Sequence, residues 1–302
     1  MSRKSLLIIT VLLIAVVLVA IFWREAPSQP EVADPVPTSI AIPVENQRPG
    51  ASASPAAGAK AEAKAEEAPQ EVKFSDYEDV VIPKSLGNEE IDYTGFTVGF
   101  NPDMHQPNYV AWVLTPDHTD GPYSRKDVDF QVDPRVKGCA TIADYKGSGF
   151  DRGHMAPAAD MKWSKEAMTD CHYLTNMCPQ SNKLNTGAWA TVEKNTRKWA
   201  MKHGPVVIVA GPVLSDRLSR TIGPSRVPVP ERFFKVLLAP EANPPMGLAF
   251  IMPNSYVEGG AESTVATIDQ VEAITGFDFF SALPDDVENR VESESSIRKW
   301  NK

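Results

Sequence analysis

The residues best equipped for chemistry fall in one window of the chain. The stretch Gly147-Ser148-Gly149-Phe150-Asp151-Arg152-Gly153-His154-Met155-Ala156-Pro157 sets a histidine beside an arginine and an aspartate, on a glycine-flanked bend ahead of a proline. It supplies a proton acceptor that titrates near neutral pH, a planar fork for phosphate and a carboxylate to orient either one. Taken alone, such a histidine is more often structural than catalytic. Downstream lie Asn176-Met177-Cys178-Pro179-Gln180 and then Asn185, Trp189, Glu193 and Arg197, and these give it company.

Those downstream residues need an element to carry them. The pattern predicts a helix starting near Asn185 or Thr186 and running to about Lys202, with Gly204 past its end. Glu193 and Arg197 are four apart and share a face, whereas Asn185 and Glu193 lie eight apart, about 12 Å along a regular helix axis. In a regular helix both cannot touch one small ion. A neutral amide oxygen as direct ligand, with a carboxylate reaching through water, suits Mg²⁺, which dehydrates reluctantly. The plainer alternative is a solvated helix face with an ordinary Glu193–Arg197 pair. Strands are expected at Phe96 to Phe100, Tyr109 to Thr115, Val206 to Ala210, Phe233 to Ala239 and Leu248 to Met252. A second helix is expected from Thr267 to Thr275, with a capping pair in Thr267 and Gln270 and a stop at Gly276. No internal repeat is evident, and the fold class is mixed α+β.

Three pieces together, Asp151-Arg152-Gly153-His154, the Asn176 to Gln180 element, and Asn185 followed at +8 by Glu193 and at +12 by Arg197, resemble the DNA/RNA non-specific endonuclease family. That family takes in nucleases of the endonuclease G type and sugar-non-specific bacterial nucleases. The likeness extends from roughly Tyr93 to Pro284, including Ser124-Arg125 ahead of Asp133-Pro134-Arg135 and the late Thr275-Gly276-Phe277-Asp278-Phe279-Phe280. It implies a ββα-metal (His-Me finger) nuclease domain on a central, mainly antiparallel sheet. In that arrangement a hairpin strand carrying the histidine lies against a helix carrying the metal asparagine.

Carried over residue by residue, the resemblance implies His154 as general base for the attacking water and Asn185 as the protein ligand of one Mg²⁺, with Mn²⁺ able to substitute. Glu193 would hold the ion through water. Asn176 and Asp151 would brace the site, and Arg152, Arg125 and Arg197 would grip the phosphate and the charge that grows in the transition state. The implied reaction is hydrolysis of a phosphodiester by in-line attack, with the ion stabilising the 3′ leaving oxygen. Contacts to phosphate and sugar carry little sequence information, so DNA and RNA are both expected as substrates. Relatives of this type are often homodimers, which leaves a homodimer open. A catalytically silent module that binds nucleic acid or serves as an envelope spacer is the alternative, and the intact 151–154 motif with Asn185 and Glu193 speaks against it.

The whole chain has 302 residues, 42% hydrophobic and 23% charged, with 3 cysteines. This is a globular composition and excludes a disulfide-dense secreted scaffold. A net charge of −9 argues against a broad basic face for nucleic acid. Residues 1–71 hold 6 of the 30 basic and 8 of the 39 acidic residues, so the remainder keeps 24 against 31 and is still acidic. Such a balance disfavours tight storage of nucleic acid but allows brief capture by a few placed arginines and a divalent ion.

The N-terminal region is different in kind. Leu6 to Trp23 is an apolar run of 18 residues with Thr10 as its one polar member, set between Arg3-Lys4 and Arg24-Glu25. A helix of that length spans about 27 Å, close to the hydrocarbon thickness of a bilayer. Bulky Ile21, Phe22 and Trp23 at its end favour a single uncleaved transmembrane helix over a removed signal, and the basic start sends the following chain across the membrane. The expected organisation is an anchor or signal at 1–25, a disordered Pro/Ala-rich tether at 26–71 and the nuclease domain at 72–302. On this reading the domain is membrane-anchored through residues 6–23 and lies outside the cytoplasm, on the periplasmic or extracellular side. Secretion after cleavage and an organelle inner membrane are the alternatives.

The remaining candidates carry less. Cys171, His172 and Cys178 offer three possible zinc ligands at irregular spacing. Cys171 and Cys178 could instead pair as a disulfide or stay free thiols, and Cys139 reads as a buried thiol. His105, His118 and His203 lack partner motifs, and Trp112, Trp163, Trp189 and Trp199 read as core.

Overall fold

A strand covered on both faces reads as an unbroken apolar run, because neither set of alternating side chains meets water. Val206 to Val213 is such a run and Phe233 to Ala239 is one but for Lys235, and they form the middle of the structure. The computed structural model describes residues 89–214 and 220–302. Its strands are β1 (Glu89–Tyr93), β2 (Phe96–Asn101), β3 (Gln106–Leu114), β4 (Asp151–His154), β5 (Met177–Gln180), β6 (Val206–Val213), β7 (Thr221–Ile222), β8 (Val227–Pro228), β9 (Arg232–Ala239), β10 (Met246–Pro253) and β11 (Val265–Ala266). Seven of them make one sheet in the order β1-β2-β3-β6-β9-β10-β11, and every neighbouring pair is antiparallel. The expected strands all lie within this sheet, with ends displaced by a few residues.

Side chains alternate strictly between two buried clusters. Val110, Trp112, Ile208 and Leu237 point to one face, while Tyr109, Ala111, Val209 and Val236 point to the other. The helices are α1 (Ile142–Tyr145), α2 (Lys165–Asp170), α3 (Asn182–Leu184), α4 (Ala190–His203), α5 (Ile268–Thr275), α6 (Asp285–Glu292) and α7 (Ile297–Asn301). Helix α4 places Val192, Trp199 and Ala200 in the first cluster. Helices α5 and α6 place Ile268, Val271 and Val291 in the second. In α5 the Gln270 amide N–H donates to Thr267 Oγ1 at 3.1 Å and the Thr267 N–H donates to Gln270 Oε1 at 3.0 Å. Gly276 closes that helix at φ 73°, as its sequence predicts.

The structure corrects several expectations. The helix expected from about Asn185 is not regular: a π-helical turn, Asn185–Trp189, separates α3 from α4, and Gly187 at φ −104°, ψ −110° breaks the helical path. The spacing of about 12 Å between Asn185 and Glu193 assumed an unbroken helix, and the path between them is broken at Gly187. Cys171 and Cys178 form no disulfide; both are buried free thiols, as is Cys139. Among the described residues no helix is long and apolar enough to cross a membrane, and the Leu6 to Trp23 run and the 26–71 tether lie outside the described residues.

Candidate active site

Strands β4 and β5 form a separate two-stranded ribbon with Asp151 opposite Gln180, Arg152 opposite Pro179, Gly153 opposite Cys178 and His154 opposite Met177. Gly149, at φ 82°, turns the chain into β4 through a conformation closed to most side chains. Gly153 answers a different need. A Cβ there would come within 2.6 Å of the Cβ of buried Gln180, so only glycine lets the two strands close. Asn176 locks the end of the ribbon. It is fully buried, its Oδ1 accepts from the Ala156 N–H at 2.9 Å, and its Nδ2 donates to the carbonyls of Ala156 and Cys171, both at 2.9 Å. Every hydrogen of that amide is spent on backbone, which fixes the segment just after His154.

His154 is half-buried, and its Nε2 is sealed from solvent with no hydrogen-bond partner among the described residues. Phe130 lies 5.5 Å from its ring and His172 5.1 Å away, edge-on at 85°. Burial first, and then the charges of His172, Arg125 and Arg152, hold the imidazole well below its ordinary value of 6.5. The ring is neutral at pH 7 and free to accept a proton. The Arg152 guanidinium stacks over Phe130 with its carbon 4.3 Å from the ring centre, while its Nε is buried and unpartnered among the described residues. Arg125 is exposed on the 3₁₀ turn Arg125–Asp127, whose start is capped by Ser124.

The following segment is organised by Asp151. Its Oδ2 accepts from Asn182 Nδ2 and from Asn185 Nδ2, each at 2.9 Å. A carboxylate of this kind only accepts, so Asn185 must turn its N–H side to Asp151 and leave its Oδ1 facing elsewhere. On the first turn of α4, Glu193 joins a group of charges inside the protein. Arg197 Nη1 donates to Asp160 Oδ1 at 2.8 Å, Asp160 also accepts from the Trp112 indole at 3.2 Å, and Lys235 lies 4.3 Å over the Trp189 ring and 5.2 Å over that of Trp112. Burial pushes the Glu193 carboxyl up to about 7, with Asp160 adding to the rise and Lys235 and Arg197 opposing it.

The structure thus gathers Asp151, Arg152, His154, Asn176 and Asn185 about the ribbon, and joins Glu193 and Arg197 through a buried network. Asp160, Phe130 and Lys235 were missed from sequence, and His172 was considered only beside Cys171 and Cys178. Only Lys235 left a signal, as a lone cation inside the apolar run Phe233 to Ala239.

A family model described as DNA/RNA non-specific endonuclease matches residues 75–286. The chain belongs to the DNA/RNA non-specific endonuclease family. Its domain is that of a nuclease, a hydrolase. Human "Endonuclease G, mitochondrial" is 34% identical over 198 residues, covering 61% of this chain and 67% of that relative. "Nuclease 1, mitochondrial" of Schizosaccharomyces pombe is 31% identical over 223 residues, covering 67% of this chain and 69% of the relative. "Nuclease EXOG, mitochondrial" of mouse is 33% identical over 216 residues, covering 65% of this chain and 58% of the relative. Among solved structures, the EndoG/EndoGI complex is similar in fold, with a TM-score of 0.62 at 24% identity, covering 66% of this chain and 88% of that one. The mixed fold with a central antiparallel sheet is that of an endonuclease G-type nuclease.

These relatives also correct the expectation about location. Each carries "mitochondrial" in its name, which overturns the reading of a nuclease domain anchored to a membrane outside the cytoplasm.

This family comprises metal-dependent nucleases, and the residues present suit a hard divalent cation. Asn185 gives its N–H side to Asp151, which leaves Oδ1 as a neutral oxygen donor, and the Glu193 carboxylate lies on the first turn of α4. The trio of Cys171, His172 and Cys178 considered for zinc is not assembled. Among the described residues two groups do assemble, His154 with Cys171 and His172, and Asp269 with Glu272 and Glu292, each with one donor atom per residue within 4.8 Å of the others.

Proposed function

We propose that this nuclease domain hydrolyses phosphodiester bonds of both DNA and RNA as a ββα-metal enzyme, with His154 as general base and Asn185 holding Mg²⁺, which Mn²⁺ can replace. One observation carries the reading most directly. Asp151 takes the N–H side of Asn185, which presents a neutral amide oxygen beside a strand whose next functional group is a neutral imidazole. A divalent cation bound there would supply Lewis-acid charge to the scissile phosphate and its leaving oxygen.

The protein's own groups divide the remaining work. His154 takes a proton from the attacking water, and its depressed basicity keeps it unprotonated at neutral pH. Arg152 and Arg125 bring positive charge to the phosphate, Arg152 stiffened by its stack on Phe130. Glu193 would supply a carboxylate to a bound cation through water, and Arg197 acts through its ion pair with Asp160 to fix the floor of the site. Asn176 positions the residues after His154 and touches no substrate. The test is cleavage of plasmid DNA and of a structured RNA by the full chain, with Mg²⁺ and with EDTA. Cleavage of both polymers that stops on chelation is expected. Full activity in EDTA would overturn the metal assignment, and cleavage of one polymer alone would overturn the tolerance of either sugar.

A further inference from the structure

None of the roles assigned above uses Cys171 or His172, which are buried against His154. Both are all but closed to solvent, at 0% and 1% exposure. The His172 ring is anchored on backbone. Its Nδ1 lies 2.8 Å from the Met168 carbonyl oxygen, which can only accept, so this nitrogen carries the proton and Nε2 carries the lone pair. Anchoring one imidazole nitrogen on a backbone carbonyl is how proteins fix the tautomer and direction of a ligating histidine. Cys171 Sγ sits 3.4 Å from that same Nδ1 and donates to the same carbonyl at 3.2 Å, so the thiol must turn away from both to share an ion with Nε2. His154 completes the group with an Nε2 that is buried and unpartnered among the described residues.

Two imidazoles and a thiol are a poor donor set for Mg²⁺ and a good one for Zn²⁺. We propose that His154, Cys171 and His172 form an inhibitory Zn²⁺ site distinct from the Asn185 cation site, with the fourth position of the ion left to water. The consequence for activity rests on His154 being the general base. Ligation at either ring nitrogen leaves the proton on the other, so the bound imidazole cannot accept one from water. Capture releases the Cys171 thiol proton to solvent and involves no redox change. Arg125 and Arg152 stand close enough to repel a dication, which makes this a weaker, reversible site than a closed structural one.

The site is read directly with Co²⁺ and the full chain. Wild type should show a thiolate-to-cobalt charge-transfer band with four-coordinate visible bands, and Zn²⁺ should erase both. Cys171→Ser should lack the charge-transfer band, and His172→Gln should weaken Co²⁺ binding while leaving the thiol in place. In cleavage assays at fixed Mg²⁺, Cys171→Ser and Cys171→Ala should keep the zinc-free rate, yet need at least about tenfold more Zn²⁺ for half-inhibition. The absence of a charge-transfer band in wild type would overturn the proposal. So would unchanged zinc sensitivity in both Cys171 variants, which would assign inhibition to the oxygen ligands at Asn185. Should the chain cleave no nucleic acid, the functional reading would fall, while the cobalt spectrum would still decide the site.

Discussion

The same strands build both faces of the central sheet, yet the faces bury opposite things. Phe234 points to one face and meets Phe277 and Phe279 at ring distances of 6.2 and 5.9 Å, with Tyr109 edge-on to Phe277 at 5.6 Å. Lys235, the next residue, points to the other face and meets Trp112 and Trp189 within a group that includes Asp160, Glu193 and Arg197. Aromatic packing contributes stability without directing any chemistry. Buried charges cost free energy unless each has a partner, so a face that buries Asp160 and Lys235 and half-buries Glu193 and Arg197 is shaped by more than stability. The aromatic face holds the sheet together, and the charged face holds the site.

Four experiments would break or sharpen that contrast. The largest effect is expected for His154→Ala, which should lower cleavage by about 10²–10⁴-fold with the thermal midpoint little changed; a wild-type rate would remove the histidine from its role. Phe234→Ala on the aromatic face should do the reverse, costing about 3–5 kcal/mol in denaturant unfolding while kcat/KM at low temperature stays near wild type. Lys235→Met tests the coupling within the charged face. Lys235 holds the Glu193 carboxyl down, so its loss should push Glu193 above about 7 and move the acid limb of the pH–rate profile upward. An unmoved limb would show that Glu193 need not be ionised.

The smallest effect belongs to Glu292 in α6, whose carboxyl is pushed up to about 8 by burial and by Glu272, Glu288, Asp269 and Asp278. Between its ordinary 4.5 and about 8 the folded protein retains a proton that the unfolded chain has lost, so stability falls as pH rises across that window. Glu292→Gln should flatten this slope and raise the thermal midpoint at pH 8 by about 2–4 °C, with cleavage unaffected. A fall in the midpoint would mean that the carboxylate is satisfied.

How much of this was legible in the sequence followed from how local each signal is. Strands β2, β3, β6, β9 and β10 announced themselves because strands covered on both sides need apolar residues throughout. Strands β4 and β5 are four residues each and carry Gly153, His154 and Pro179, so no periodicity marks them; only the family motif did. The Asn185, Glu193 and Arg197 spacing was readable, but Asp160 pairs with Arg197 across 37 positions, and no pattern in the chain announces such a pair. His172 was grouped with Cys178 because they are near in sequence, whereas the fold places it against His154, which only the ribbon's pairing decides.

The π-helical turn at Asn185–Trp189 acts as a gear between two machines. One extra residue rotates everything beyond it by about 100°, so the direction of Asn185 is uncoupled from that of Val192 and Trp199, which dock α4 on the sheet. Asn185 can therefore be aimed without repacking the core, and a chain lacking Gly187 should keep a docked helix while swinging Asn185 out of reach of Asp151.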